Sequence, residues 1–217
     1  SFLRQRGDII ERVELDLNTN KERSLDHPPN CTLDDKNGLY SGNNDYELYS
    51  CNQDIFIFNQ NQGAPINLTQ NIEGVSRYPA WSANGESVLF TSNHLGSNDL
   101  YLIEIDSKAI TPLTNSEANN ERGDLSPDGS HLVYSSNQFT EDNQDIIMKD
   151  LDSGKVENIT NSTGNELIAR FSSDGNTIYY GGNKDGNWEL YSYQITTKTT
   201  KRLTNNDYFD GDPRTYK

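Results

Sequence analysis

The sequence predicts an all-β protein, a β-propeller of four-stranded antiparallel blades, and three observations predict it. The first is an internal period. Strand-like segments open on an acidic residue at Asp54, Asp99, Asp145 and Glu189, spaced 45, 46 and 44 residues apart. The second is how each segment is closed. A hydrophobic residue and a threonine follow every acidic lead at the same distance, as Leu68-Thr69, Leu113-Thr114, Ile159-Thr160 and Leu203-Thr204. The third is a recurrent turn, Ala83-Asn84-Gly85, Ser126-Pro-Asp-Gly129 and Ser172-Ser-Asp-Gly175, with a looser copy at Asp35-Lys-Asn-Gly38. A period near 45 means that one supersecondary unit is repeated, and four short strands per period is the content of a propeller blade.

Within one period the elements follow in a fixed order. A first strand runs through Tyr78-Pro-Ala-Trp-Ser, and the Asn84-Gly85 turn leads to a second strand at Ser87–Ser92. A polar turn reaches Asn98, a third strand runs from Asp99 to Ile105, and Asp106-Ser107-Lys108 turns the chain into a short fourth strand from Ala109 to Thr114. The other second strands are His131–Ser136 and Thr177–Gly181. In Pro-Asp-Gly the proline presets φ, the aspartate bonds the backbone and the glycine supplies φ > 0. No helical periodicity of useful length is present.

A worn copy opens the chain, from Asp8 to Ser24-Leu25, with its lead 46 residues before Asp54. Phe2–Asp8 reads as a second strand entering a third, so this copy lacks its first strand. After Thr204, the segment Asn205–Tyr216 reads as the approach to a first strand, with Pro213 in the place of Pro79. The two partial copies are expected to form one composite blade, which closes a ring and removes exposed edges. The repeats are placed at about 1–25 (partial), 30–69, 75–114, 120–160, 166–204 and 208–217 (partial), in a single domain 1–217. Five blades are expected. The alternative is an incomplete six-bladed ring, which needs about one more repeat.

The net charge of −15 disfavours nucleic acid and anionic membrane surfaces, both of which would repel it. No stretch approaches the ~20 apolar residues of a membrane-spanning helix, so no membrane insertion is expected. No secretory signal is seen, and a chain that opens inside a repeat leaves any leader undecided. Twelve tyrosines suit half-buried strand positions. The two cysteines, Cys31 and Cys51, fall in one repeat, where a disulfide would form a local staple of the kind that persists in periplasmic or secreted proteins. Two unpaired buried thiols are the alternative.

Candidate chemistry is sparse. His27, His94 and His131 occupy different phases of the repeat, which leaves no convergent transition-metal site or histidine acid–base pair. There is no Gly-x-Ser-x-Gly elbow and no phosphate-cradling glycine loop. Asp54, Asp99 and Asp145 recur at one phase and read as strand-entry residues. A glycosidase pair should break the repeat instead. Asp207, Asp210 and Asp212 form a weak calcium candidate, and Asn183–Glu189 a second, with a plain turn as the stronger reading of both. Without them no cofactor is expected.

The best site candidates are unequal residues on the innermost strand. Aligned on the turn glycine, the position of Ala80 becomes Asp124 and Arg170. Aligned on Pro213 it becomes Arg214, and the looser second repeat offers Thr32. Asp124, Arg170 and Arg214 are therefore the expected ligand-binding residues at the channel mouth. A network of Asp–Arg pairs that satisfies the channel is the competing reading.

The segments Pro79–Ser92, Leu125–Ser136 and Phe171–Tyr180, with the acidic-aliphatic-aromatic strand that ends in Leu-Thr, resemble the WD40-like (PD40) repeats of TolB-type propellers. The resemblance covers nearly the whole chain, and its motif residues are structural. It implies a non-catalytic, monomeric binding or sensing platform, periplasmic or otherwise extracytoplasmic, that uses one mouth to bind a protein, peptide or small ligand. The alternative it carries is the accessory propeller of a prolyl-oligopeptidase-like peptidase, whose catalytic triad would lie elsewhere. A lyase or glycosidase acting on acidic sugars is the weakest reading.

Overall fold

The computed structural model describes residues 2–6, 9–16, 21–25, 39–40, 46–59, 63–211, 213 and 215. Among these, every helix or strand is a strand, and the strands form five antiparallel sheets. The first sheet holds β1 (Phe2–Arg6), β2 (Ile9–Asp16) and β3 (Lys21–Leu25). The second holds β4 (Leu39–Tyr40), β5 (Glu47–Cys51), β6 (Asp54–Phe58) and β7 (Ile66–Asn67). The third holds β8 (Ser76–Trp81), β9 (Ser87–Ser92), β10 (Asp99–Glu104) and β11 (Ile110–Pro112). The fourth holds β12 (Asn120–Leu125), β13 (His131–Ser136), β14 (Asp145–Asp150) and β15 (Val156–Asn158). The fifth holds β16 (Glu166–Phe171), β17 (Thr177–Gly182), β18 (Glu189–Gln194) and β19 (Thr199–Arg202).

Each sheet is a meander in chain order, which is the predicted blade, and the architecture is the predicted β-propeller. The three-stranded first sheet matches a copy without its first strand. At the other end, the Asp210 N–H donates to the Trp188 carbonyl at 3.0 Å. Ser76, Asn120 and Glu166 make the same bond to Gln53, Asn98 and Gln144, so Asp210 stands where a first strand begins. Asp212 and Arg214, which the sequence reading places on the closing strand of the composite blade, lie outside the described residues.

The period-two alternation of the strands explains where the core sits. Successive side chains of a strand point to opposite faces of its sheet. On β9, Val88 and Phe90 face back, into a slab with Leu48, Ile55 and Ile57 of the second sheet. Leu89, between them, faces forward into a slab with Leu125, Leu132 and Tyr134 of the fourth. Val133 and Ile146 of the fourth sheet then pack with Phe171, Ile178 and Tyr180 of the fifth. The core is thus a set of slabs between neighbouring blades, which is how a chain only 32% hydrophobic can bury what it has.

The two signals that reveal the period bond to each other. The Thr69 hydroxyl donates to Asp54 at 2.5 Å, Thr114 to Asp99 at 2.6 Å, Thr160 to Asp145 at 3.3 Å and Thr204 to Glu189 at 2.5 Å. Each threonine oxygen also accepts the backbone N–H that follows the acid, from Ile55, Leu100, Ile146 and Leu190. The pair clasps the fourth strand's exit to the third strand's start and satisfies a backbone donor there. The glycine turn is equally regular. Ser126 and Ser172 hydroxyls donate to Asp128 and Asp174, and these bonds pull both carboxyls down to about 2. Gly85, Gly129 and Gly175 hold φ near 71°, 74° and 72°, the left-handed region that only glycine enters freely.

Cys51 is buried at the end of β5. Cys31, its expected partner, lies outside the described residues, as does His27.

Candidate functional site

The innermost strands β8, β12 and β16 touch one another across the blades, so the side chains nearest the axis come from them. Each carries a β-bulge, between Arg77 and Ala80, Glu121 and Asp124, and Leu167 and Arg170. The bulges place Tyr78, Arg122 and Ile168 at φ 52°, 58° and 59°. Left-handed backbone is costly for such residues, most of all for β-branched Ile168, and it persists only where surrounding structure imposes it. Part of that imposition is visible. The bulge N–H of Arg122 donates to Thr91 Oγ1 at 3.2 Å, and that of Ile168 to Ser135 Oγ at 3.3 Å, each on the preceding blade. Pro79 fits inside the first bulge because no ladder bond is asked of it there.

The bulges re-aim side chains across the blade boundary. The Arg122 guanidinium lies over the Tyr78 ring, 3.9 Å from its centroid, and Nη2 donates to the Tyr78 hydroxyl at 2.8 Å. Glu121 Oε1 is 3.6 Å from Arg122 Nε. Arg170 Nη1 donates to the carbonyls of Ala169, Arg122 and Gly123 at 2.8, 3.3 and 3.3 Å. Asp124 is buried, and its Oδ2 accepts the Phe171 N–H at 2.9 Å. Two arginines of neighbouring strands thus adjoin on the axial wall of a strongly acidic chain, with Glu121 and Asp124 on the strand of Arg122.

A second departure from the repeat lies one step out, at the strand start shared by Ser76, Asn120 and Glu166. Asn120 is satisfied at both ends: its Nδ2 donates to Asp99 Oδ1 at 2.9 Å, and its Oδ1 accepts the Ser136 hydroxyl at 2.7 Å. Glu166, in the next blade, is equally buried, yet faces buried Asp145. Ser162 donates to its Oε1, while Oε2 has no partner. Burial pushes the Glu166 carboxyl up to about 7, and the Asp145 charge adds to this, against the Ser162 bond, a weaker pull from the Thr160 hydroxyl and the Lys184 charge. The blade makes room for it. Gly182 stands where the third and fourth sheets have Ser92 and Ser136 and the second has Cys51, and a Cβ there would lie 3.2 Å from Glu166 Cγ and 3.3 Å from the Tyr191 ring.

No family model matches the chain. An uncharacterized protein of Agrobacterium fabrum is 31% identical over 84 residues, which is 39% of this chain and 28% of that protein's length. The chain therefore spans less than a third of that relative. Among solved structures, a TolB-assigned protein of Agrobacterium tumefaciens superposes with a TM-score of 0.80 at 20% identity, over 99% of this chain and 81% of its own. TolB of Acinetobacter baumannii gives 0.75 at 18% identity, over 94% and 52%. The fold is that of the TolB propellers. A puromycin-hydrolyzing peptidase of Mycobacterium tuberculosis is more distant, with 0.62 at 13% identity over 83% of this chain and 30% of its own.

On this TolB fold, Ala80, Asp124 and Arg170 share one phase of the bulged strand, as alignment on the turn glycine implies. Arg214 lies outside the described residues, as does Thr32. The sequence reading missed Tyr78 and Arg122, because nothing in the residue types announces a bulge. His94 packs on Tyr101 with ring centroids 4.6 Å apart, while His131 Nε2 sits 3.7 Å from Asp150 at the opposite end of the blades. Among the described residues no group of three or more His, Cys, Asp and Glu converges. In the acidic loops, Asp210 accepts from Asn206 at 2.7 Å, Asp207 is exposed, and Asp212 is outside the described residues. Glu189 is not a loop ligand. It is buried within the blade, and the Thr204 bond, with Arg202, holds its carboxyl down at about 2.

Proposed function

We propose that the protein is a non-catalytic binding or sensing platform, in which a TolB-like propeller presents its axial mouth and adjoining loops to a protein or peptide partner. One observation carries this reading. The groups that hold each blade together are repeated, whereas the axial positions are not: Tyr78, Arg122 and Ile168 at one phase, Ala80, Asp124 and Arg170 at another. A position with only a structural task has the same task in every blade, so unequal residues on a shared wall are what a ligand of defined shape selects. Function on such a scaffold lives in the site and not in the fold. The test is capture from an envelope extract by the wild-type protein and by the double variant Arg170→Ala/Arg214→Ala. The partner is lost from the double variant and kept by Lys198→Ala, on an exposed turn. A partner held equally by all three rules out the axis.

The proposal includes a periplasmic or other extracytoplasmic setting, which the TolB likeness supports, and with it a Cys31–Cys51 disulfide. None of the described segments is a helix long and apolar enough to cross a membrane. Reduction should lower the melting temperature, because closing a loop of this size stabilises by roughly 3 kcal/mol in the chain-entropy model. An unchanged melting temperature removes the cysteines from the argument.

The likeness to a peptidase that is much longer than this chain favours a second reading, an accessory propeller that restricts access to a hydrolase. The mass and end sequences of the native polypeptide separate the two. A hydrolase domain beyond Lys217 makes the chain a peptidase gate, and a membrane anchor before Ser1 makes it a sensor.

A further inference from the structure

The two ends of the blades differ in surface chemistry. The turns joining first to second and third to fourth strands, such as 126–130 and 151–155, expose no large apolar side chain among the described residues. The loops at the other end expose Leu95, Phe139, Tyr208 and Phe209, with Trp188 packed against Phe209 at 5.8 Å between ring centroids. Leu95 and Phe139 occupy the same place on successive blades, three residues after Ser92 and Ser136. Beside the opposite turns Ile66 and Ile110 are each 42% exposed at the start of a fourth strand, so the apolar surface is weighted towards the loop end rather than confined to it, a weighting found at interaction surfaces.

One of these points is also concave. A shallow, open cleft of 510 Å3 lies between the segments 116–118 and 137–141, with Phe139, 52% exposed, on one side. Its walls are held in place, since Asn137 Oδ1 accepts the Asn119 N–H at 2.7 Å and Ser136 Oγ accepts that of Gln138 at 3.0 Å. Glu117 and Glu141 line it, both exposed and in no ion pair among the described residues, and none of the lining residues is basic. We propose that this cleft docks a basic segment of a protein partner, with an aliphatic or aromatic side chain packed on Phe139 and a Lys or Arg placed between Glu117 and Glu141. Charge complementarity selects this occupant. A second copy of a chain with net charge −15, an anionic lipid surface and a nucleic acid would each bring more negative charge to two unneutralised carboxylates. Neither Arg122 nor Arg170 lines the cleft, so the inference rests on the binding-platform reading but names different residues on it.

The probe is the acetylated, amidated pentapeptide Gly-Lys-Phe-Arg-Gly, titrated to millimolar concentration into the 15N-labelled protein. Amide shifts are expected at 116–118 and 137–141, weakened several-fold by Phe139→Ala and lost in Glu117→Lys/Glu141→Lys. Glu86→Lys, at the other end of the blades, should leave them unchanged. The same peptide with Glu in place of Lys and Arg should produce none. Absence of localised shifts overturns the proposal, as does binding that survives the double reversal. Shifts confined to Tyr78, Arg122 and Arg170 overturn the cleft while keeping the platform. Shifts at the cleft that depend on protein concentration alone identify a second copy as the occupant and overturn it too.

Discussion

Two joints between neighbouring blades use the same position in opposite ways. Where the fourth sheet meets the third, Asn120 sits against Asp99 and Ser136, and an amide donor meets a carboxylate while an amide carbonyl meets a hydroxyl. Where the fifth meets the fourth, Glu166 sits against Asp145, and the hydroxyl has become Gly182. The first joint is satisfied at any neutral pH. The second brings two buried carboxyl groups together, and like charges so placed cannot both ionise without cost. The exchange is coordinated: the longer side chain and the missing Cβ occur together, so the departure is accommodated by its surroundings. A repeat protein thereby supplies its own control, because each blade shows what the neighbouring blade would contain without the change.

The largest effect should come from making the good joint resemble the poor one. Asn120→Asp removes the donor to Asp99 and adds a second buried carboxyl, and its urea midpoint at pH 8 should report a loss of about 3 kcal/mol. A stability within error of wild type would mean that the joint is wetter than its burial implies. Next is the clasp. Thr114→Val removes a 2.6 Å bond to Asp99, and Thr160→Val a 3.3 Å bond to Asp145. The first should cost about 2 kcal/mol and the second about 1 kcal/mol, since hydrogen bonds to charged groups contribute most when short. Equal losses would show that the Asp145 clasp is no weaker. The smallest effect is expected of Gly182→Ser. Its Cβ meets Glu166 and Tyr191 at 3.2 and 3.3 Å, but its hydroxyl can reach the unpartnered Glu166 oxygen, which leaves a net loss of about 1 kcal/mol.

Much of the blade is legible in the sequence because the residues that build it repeat. The second strands at Ser87–Ser92 and His131–Ser136 are read without error, and Thr177–Gly182 to within one residue. First strands are read less well. The reading begins one at Tyr78, while β8 starts at Ser76, because the bulge hides the alternation that marks a strand. The acid and threonine of each period are visible as signals, but their bond is not, since it joins residues fifteen apart through a hairpin. Asn93 and Asn137 carry no signal in the sequence, and Asn183 reads there only as the start of a calcium-like turn. Each accepts the N–H of Val75, Asn119 or Asn165, and so ties the loop after a second strand to the loop entering the first. At the axis, unequal residues are visible by alignment, but which of them meet is not. The contact of Arg122 with Tyr78 depends on two left-handed residues that no residue type signals.

The central claim is that departures from the repeat, and not the repeat itself, give this propeller its individual behaviour. Glu166 tests it most directly. A carboxyl raised to about 7 in the folded state, against about 4.3 when unfolded, contributes stability that is complete below pH 4.3 and is lost as pH rises towards 7. The measurement is urea unfolding of wild type and Glu166→Gln at intervals from pH 4 to 8. The stability difference between them should shift in favour of the variant by roughly 3 kcal/mol across that window and be flat above it. Parallel profiles for the two proteins would contradict the account.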